Sequence, residues 1–179
     1  LDHSQNPIPF IRVLDPGPGA WRRMTTNEAP NTSTLVLPFG VGTNGVELAF
    51  FDPLGYTETL QAVTNIVAGS PYATMVTLGQ SFEGRDLHFI TINNANFPDA
   101  GKKRVWVHAR VHAGEITATH TMLGFLSQAL EDSETGRRLR QNVIFTVVPQ
   151  MNVDGIHRGN TRWDAQGIDE EAVWCNMRT

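Results

Sequence analysis

The sequence predicts an α/β fold in which helices flank a mixed β-sheet, preceded by a small β-rich segment. Two apolar segments, 104–110 and 143–149, have the length and the β-branched residues of strands, and the first is expected to be largely buried. Between them, over 115–130, apolar residues recur at three- and four-residue spacing, which predicts a helix packed on the sheet. Strands that alternate with helices are typical of an α/β sheet.

The elements before these strands follow from similar patterns. Apolar residues at helical spacing predict a helix over 57–68, which ends at a glycine and a proline. Segments 73–78 and 87–92 are predicted strands, and the glycine-containing connection 79–86 predicts a hairpin between them. The charged residues of this connection are expected to form local salt bridges.

The first part of the chain has a different composition. Residues 1–51 contain six prolines among short apolar pieces, and short strands are predicted within 9–14, 34–37 and 46–51. We therefore expect two parts, a β-rich N-terminal segment over 1–51 and an α/β domain over 52–179.

Composition excludes several classes of function. With 179 residues, of which 40% are hydrophobic, the chain can bury a substantial core. A formal net charge of −4 argues against nucleic acid binding. No apolar run approaches the roughly 20 residues of a membrane span, so no membrane association is expected. The single cysteine, Cys175, fits a reducing compartment and predicts a cytoplasmic location.

Two residues at the junction of strand and helix can bind metal. His112 follows the strand at 104–110, and Glu115 falls in the first turn of the helix. Gly114 allows a tight backbone turn between them, so both side chains can point to the same side. Zinc accepts imidazole and carboxylate ligands, and catalytic zinc sites use three protein ligands. The spacing fits equally well a surface histidine and a glutamate that complements the helix dipole.

Polar residues also follow the next strand. The segment 143–149 leads into Asn152 and a turn-forming cluster at 152–155, with Arg162 ten residues after Asn152. Sites in open α/β sheets form at the carboxyl ends of strands, and here two consecutive strands end in polar residues. The two clusters are therefore expected to form one site.

These segments together resemble the zinc metallocarboxypeptidases of the M14 family, in particular its cytosolic-type and related bacterial members. The resemblance covers about residues 46–169 and places four segments in family order. They are 78–87 (LGQSFEGRDL), 109–115 (ARVHAGE), 149–155 (PQMNVDG) and Arg162. It implies a carboxypeptidase-like fold with a β-rich domain before the catalytic domain.

The resemblance also implies roles for individual residues. His112 and Glu115 match the first two ligands of one Zn²⁺, and Arg162 matches the arginine that polarises the scissile carbonyl. Asn152 and Arg110 are assigned to substrate binding. The implied reaction is hydrolysis of a C-terminal peptide bond by metal-activated water, and the implied partner is a peptide or protein C-terminus.

The sequence departs from the family after Arg162. The family continues with Gly-x-Asp-x-Asn-Arg, whose Asn and Arg hold the terminal carboxylate of the substrate. Here Gly167 and Asp169 fit, but Glu170 and Glu171 follow, and two glutamates would repel a carboxylate. The third zinc ligand and the general base lie beyond residue 179 in the family, so 52–179 is expected to be a partial domain.

Two alternatives remain open from the sequence. The chain is either an enzyme of this family or an inactive carboxypeptidase-fold fragment that binds a partner or forms a homo-oligomer through an exposed sheet edge. A third reading assigns metal or carbohydrate binding to the β-rich segment. Among other histidines, His108 and His120 are expected to be packed, and the arginines at 137, 138 and 140 are expected to face solvent.

Overall fold

The structure, a computed structural model, describes residues 8–14, 17–31 and 34–174. The chain divides into two compact units, Leu1–Pro53 and Leu54–Thr179. This division falls two residues after the domain boundary expected from composition. In the described part of the chain, no helix is long and apolar enough to cross a membrane.

The first unit contains a three-stranded antiparallel sheet in the order β2-β1-β3. Its strands are β1 (Phe10–Leu14), β2 (Arg22–Arg23) and β3 (Gly45–Ala49). Ile11 is fully buried on this sheet and packs with Met24 and Ala29. The prediction of a strand within 34–37 is wrong. Thr34 forms only an isolated bridge with Asn31, and 35–37 are not part of a strand.

The second unit contains a four-stranded sheet and five helices among its described residues. Its elements are α1 (Tyr56–Val67), β4 (Ala73–Gln80), β5 (Asp86–Ile92), β6 (Lys103–His108), α2 (Ile116–Leu130), α3 (Glu134–Asn142), β7 (Val143–Val148), α4 (Val153–Arg158) and α5 (Glu170–Trp174). The strand order is β4-β5-β7-β6. β5 runs antiparallel to β4 and β7, whereas β6 and β7 are parallel. The predicted mixed sheet is therefore confirmed.

The main core lies between the sheet and the helices α1 and α2. Val63 and Leu126, one from each helix, are fully buried against Ile90 and Val147 of the sheet. The two helix positions belong to the apolar stripes from which the helices were predicted. Burial of these apolar side chains stabilises the folded state through the hydrophobic effect. The core thus fixes the end of the sheet from which the loops after β6 and β7 emerge.

The prediction that the strand at 104–110 is largely buried is wrong. β6 is an edge strand of the described sheet, and Val105 and Trp106 are 39% and 49% exposed. Val107 alone on this strand packs against the core. Apolar alternation indicates that a segment is a strand. It does not reveal whether that strand lies at the edge of the sheet or has a neighbouring strand on each side.

Two side-chain expectations are also corrected. Arg140 lies in α3, which the sequence pattern did not reveal, and is buried rather than facing solvent. Its guanidinium donates to the carbonyl oxygens of Ala129 at 2.5 Å and Glu131 at 3.0 Å, and stacks over the Tyr72 ring. It therefore caps the end of α2. His120, expected to be packed, is exposed because the buried stripe of α2 runs along the neighbouring face.

We expect Arg140→Met to lower the free energy of unfolding by about 2–4 kcal/mol, because it leaves the buried carbonyl groups at the end of α2 without a donor. Urea denaturation measures this loss. Arg138→Met is the matched control, since Arg138 is 76% exposed and its guanidinium lies 3.9 Å from the carboxylate of Glu134. Its effect should stay below about 0.5 kcal/mol. Equal losses in both variants would contradict the capping role.

Candidate metal centre

Arg110 holds the loop after β6 in place through hydrogen bonds of its side chain. Arg110 has a left-handed backbone conformation, with φ 61°, and is buried. Its guanidinium donates to Ala113 O at 2.7 Å, to Leu54 O at 3.1 Å and to Thr119 Oγ1 at 3.1 Å. Burial lowers the pKa of Arg110 to about 10, so it remains charged at neutral pH. These contacts give Arg110 a role in shaping the loop, and its substrate contact stays a prediction.

The loops after β6 and β7 run side by side. Asn152 N donates to Arg110 O at 3.0 Å, and Gly114 N donates to Thr161 O at 2.7 Å. A Cβ atom at Gly114 would lie 2.8 Å from Thr161 O, which is closer than real contacts allow. Gly114 is therefore required by the close approach of two backbones rather than by an unusual φ.

We expect Gly114→Ala to lower the free energy of unfolding by about 1–3 kcal/mol, because the added methyl group collides with backbone that cannot move away easily. Gly124→Ala is the control. Gly124 lies on the exposed side of α2 with open space around it, so alanine should stabilise the protein by about 0.5–1 kcal/mol. Thermal unfolding of both variants measures the difference, and an unchanged Gly114→Ala would contradict the packing described.

The two predicted metal ligands lie together at this loop. His112 Nδ1 and Glu115 Oε1 are 2.9 Å apart. The His112 side chain is 10% exposed, whereas that of Glu115 is 57% exposed. The contact with Glu115 raises the pKa of His112. One imidazole nitrogen and one carboxylate oxygen therefore face each other at the edge of a cleft, which is the beginning of a metal site.

The second ring nitrogen of His112 points toward two more carboxylates. His112 Nε2 lies 3.1 Å from Glu171 Oε2 and 3.4 Å from Asp169 Oδ1. Neither contact has the alignment of a hydrogen bond, so this buried nitrogen has no hydrogen-bond partner among the described residues. Carboxylates behind a metal-bound imidazole commonly orient it.

His112, Asp169 and Glu171 are also an alternative set of metal ligands. Their ligand atoms all lie within 4.8 Å of one another, and in the described ranges no other group of three such residues is found. The sequence pattern pointed to Asp169 through the Gly-x-Asp motif, but nothing in it indicated that Glu171 would reach His112.

Arg162 is linked to the same site by hydrogen bonds to Asp169 and Glu171. Its Nε donates to Asp169 Oδ2 at 2.6 Å, and its Nη2 donates to Glu171 Oε2 at 3.4 Å. Its side chain is 46% exposed, and the bond to Asp169 raises its pKa. Arg162 also interacts electrostatically with His112 and Glu115. A guanidinium fixed beside the pair can stabilise negative charge that develops there.

Asn152 supports Arg162 rather than projecting into open space. It is buried, its side-chain oxygen accepts from Gly155 N at 2.8 Å, and its Nδ2 donates to Arg162 O at 3.3 Å. The first of these bonds caps α4, so the predicted turn at 152–155 is the start of a helix. The contact of Asn152 with substrate stays a prediction.

The hairpin between β4 and β5 is tied to this region by Asp154. The buried carboxylate accepts from Ser81 Oγ at 2.6 Å, Glu83 N at 3.0 Å and Arg85 Nη1 at 2.8 Å. Burial raises the pKa of Asp154, but the hydrogen bonds from Ser81 and Arg85 outweigh burial and lower it. The predicted local salt bridge of Glu83 with Arg85 is confirmed, and the network extends to α4, which local spacing could not indicate.

Helix α5 contains a carboxyl group with an unusual pKa. Burial raises the pKa of Glu170 from 4.5 to about 7, and the charges of Asp164 and Asp154 add to the effect. The folded state therefore binds this proton more tightly than the unfolded state does. The stabilisation from the protonated group is fully present below pH 4.5 and is lost as the pH rises toward 7.

We expect Glu170→Gln to become progressively more stable than the unmodified chain as the pH rises from 4.5 to 7, because glutamine cannot ionise. Urea denaturation across this range measures the difference, and the carboxyl carbon signal of Glu170 should titrate with a midpoint near pH 7. Glu134→Gln, at a site 82% exposed, should show no such trend. A stability difference independent of pH would contradict the partial burial of Glu170.

The mixed sheet, with a histidine and glutamate after one parallel strand and an arginine after the next, defines a domain of the zinc-peptidase class. The zinc carboxypeptidase family model, Peptidase M14, matches residues 60–178. The chain belongs to this family.

Similar proteins agree with this assignment. Human cytosolic carboxypeptidase 2 is 35% identical over 144 residues, which cover 77% of this chain and 16% of the human protein. A metallo-carboxypeptidase from Burkholderia cenocepacia has a TM-score of 0.71 at 26% identity, covering 95% of this chain and 45% of its own. A metallo-carboxypeptidase from Pseudomonas aeruginosa, at 23% identity and a TM-score of 0.73, has the same fold. The chain thus spans a minor part of the length of these relatives.

Proposed function

We propose that this chain supplies the first two zinc ligands and the carbonyl-polarising arginine of a metallocarboxypeptidase. The observation that carries the proposal is the 2.9 Å approach of His112 Nδ1 and Glu115 Oε1 at the edge of a cleft. The reaction is hydrolysis of the last peptide bond of a peptide or protein. Membership of the zinc carboxypeptidase family supports this reaction class.

The residues present fit zinc. An imidazole nitrogen and a carboxylate oxygen are both preferred zinc ligands, and histidine with glutamate occurs in catalytic zinc sites. The other nitrogen of His112 is buried without a hydrogen-bond partner in the described part of the chain and faces Asp169, so an orienting carboxylate is in reach. When bound, zinc polarises a carbonyl group and lowers the pKa of a water molecule.

The protein side chains would bind the metal, stabilise developing charge and position the arginine. His112 and Glu115 would hold the metal through one imidazole nitrogen and one carboxylate oxygen. Arg162 presents a guanidinium that stabilises the developing negative charge on the carbonyl oxygen, a contribution of about 3–4 kcal/mol to the barrier when one such donor is lost. Asp169 holds Arg162 at 2.6 Å and so keeps the guanidinium near the pair.

The location of the protein is part of the same proposal. Several relatives are named cytosolic carboxypeptidases, which supports a cytoplasmic location for this chain. The single cysteine of the sequence is compatible with a reducing compartment.

We expect the chain to bind Zn²⁺, and His112→Ala and Glu115→Gln each to lower the affinity at least about tenfold, because each removes one ligand. Isothermal titration calorimetry on chelator-treated protein measures this. His157→Ala is the matched control, since His157 is exposed in α4, and it should bind zinc like the unmodified chain. Unchanged affinity in both ligand variants would contradict the proposed pair.

A second function, self-assembly, is favoured by the edge strand β6. Its Trp106 is 49% exposed, and Val105 is 39% exposed, beside backbone groups that have no neighbouring strand among the described residues. Apolar edge strands pair readily with another chain. The proposed partner is a second copy of the chain.

For self-assembly we expect Trp106→Lys to shift the protein toward monomer, because a charged side chain on an edge opposes strand pairing. Sedimentation velocity over a range of concentrations detects the shift. Phe82→Lys, at a 73% exposed position outside the strands, should leave association unchanged. A monomer at every concentration in the unmodified chain would rule out this function.

A further inference from the structure

A cavity of about 490 Å³ lies at the candidate metal centre, between the end of β6 and helix α5. Its lining includes His108, His112, Glu115, Ala118, Glu171 and Trp174. Pockets of this size accommodate small ligands or the side chain of a bound peptide. All lining residues belong to the second unit of the chain.

The charges in this cavity favour a cation. Glu115 and Glu171 line it with carboxylates that are 57% and 65% exposed. Among the described lining residues, Arg110 is the only lysine or arginine, and its guanidinium is occupied by Ala113 O, Leu54 O and Thr119. A carboxylate ligand would therefore meet the two carboxylates of Glu115 and Glu171, whereas an ammonium or guanidinium group would be attracted to them.

The cavity also has an aromatic wall. Trp174 is 56% exposed and stacks on the His108 ring, with centroids 5.8 Å apart. His108 is in turn fixed by Trp106, whose indole N–H donates to its Nδ1 at 2.9 Å. An indole face next to a carboxylate is a favourable environment for an organic cation.

One polar atom at this place has no hydrogen-bond partner among the described residues. His112 Nε2 is buried and forms no hydrogen bond within the described residues, although Glu171 Oε2 lies 3.1 Å away. Glu171 therefore lies next to this nitrogen and lines the same cavity as His112. Its Oε2 also accepts a long hydrogen bond, at 3.4 Å, from Arg162 Nη2.

We propose that this cavity binds the basic side chain of a peptide, with Glu171 as the ionic partner and Trp174 as the cation–π surface. The inference rests on the proposed function for its ligand, a peptide. It reverses the charge expected of a pocket that holds a terminal carboxylate, because glutamate and alanine stand at 171 and 172 where the family motif has asparagine and arginine.

The test is binding of small probes to the unmodified chain in the presence of a chelator. The probes are the Nα-acetyl amides of lysine, norleucine and glutamate, which share a backbone and differ in side-chain charge. Binding is followed by the indole N–H signal of Trp174 in ¹H–¹⁵N NMR spectra, assigned with Trp174→Phe. We expect the lysine probe to bind at least about tenfold more tightly than either other probe. Equal binding of the three probes would overturn the proposal.

Variants identify the partner of the cation. Glu171→Gln should remove the preference for lysine over norleucine, because the ionic attraction is lost while the shape is kept. Glu134→Gln, an exposed change of the same kind on α3, should retain the preference. Retained preference in Glu171→Gln would overturn the role of Glu171. Spectra of each variant verify that the fold is unchanged.

Two further measurements distinguish binding of a basic side chain from binding of a peptide N-terminus and from zinc binding. Glycinamide carries only an α-amine, so tight binding of glycinamide would show that the cavity takes a peptide N-terminus and would overturn the assignment to a side chain. The lysine preference is measured without metal. Absence of zinc binding with a retained preference would refute the proposed zinc site and leave the cavity, whereas zinc binding without the preference would refute the cavity alone.

Discussion

The hydrogen bond from Gly114 N to Thr161 O joins the two loops that carry His112, Glu115 and Arg162. It requires a residue without Cβ at 114, since any other side chain would collide with Thr161. The parallel pairing of β6 and β7 brings the two loops to the same end of the sheet, and Arg110 fills the space beneath them. His112 and Glu115 face each other because the backbone between them is held from both sides.

Much of this arrangement could be predicted from local sequence. The apolar periodicity of α1 and α2 and the β-branched segments of β5 and β7 indicated the elements that form the main core. His112 and Glu115 were recognisable because zinc chemistry restricts ligand types and because both follow the end of a strand.

Other features depend on contacts between distant segments, which local patterns do not encode. The lateral position of β6 in the sheet, and hence the exposure of Trp106, depends on which strands pair with it. Arginine side chains are usually exposed, yet hydrogen bonds to the carbonyl groups at the end of α2 hold Arg140 in the interior. Asp154 reaches Ser81 across 73 positions of sequence, and Glu171 reaches His112 only after α5 folds back over the loop.

The most direct test of the account is zinc X-ray absorption on the loaded chain and on its His112→Ala variant. The account predicts one imidazole nitrogen at about 2.0–2.1 Å, together with oxygen ligands, in the unmodified chain. The imidazole contribution should disappear in the variant. A spectrum with oxygen ligands alone, or an imidazole signal that persists without His112, would contradict the assignment of His112 and Glu115 as the metal-binding pair.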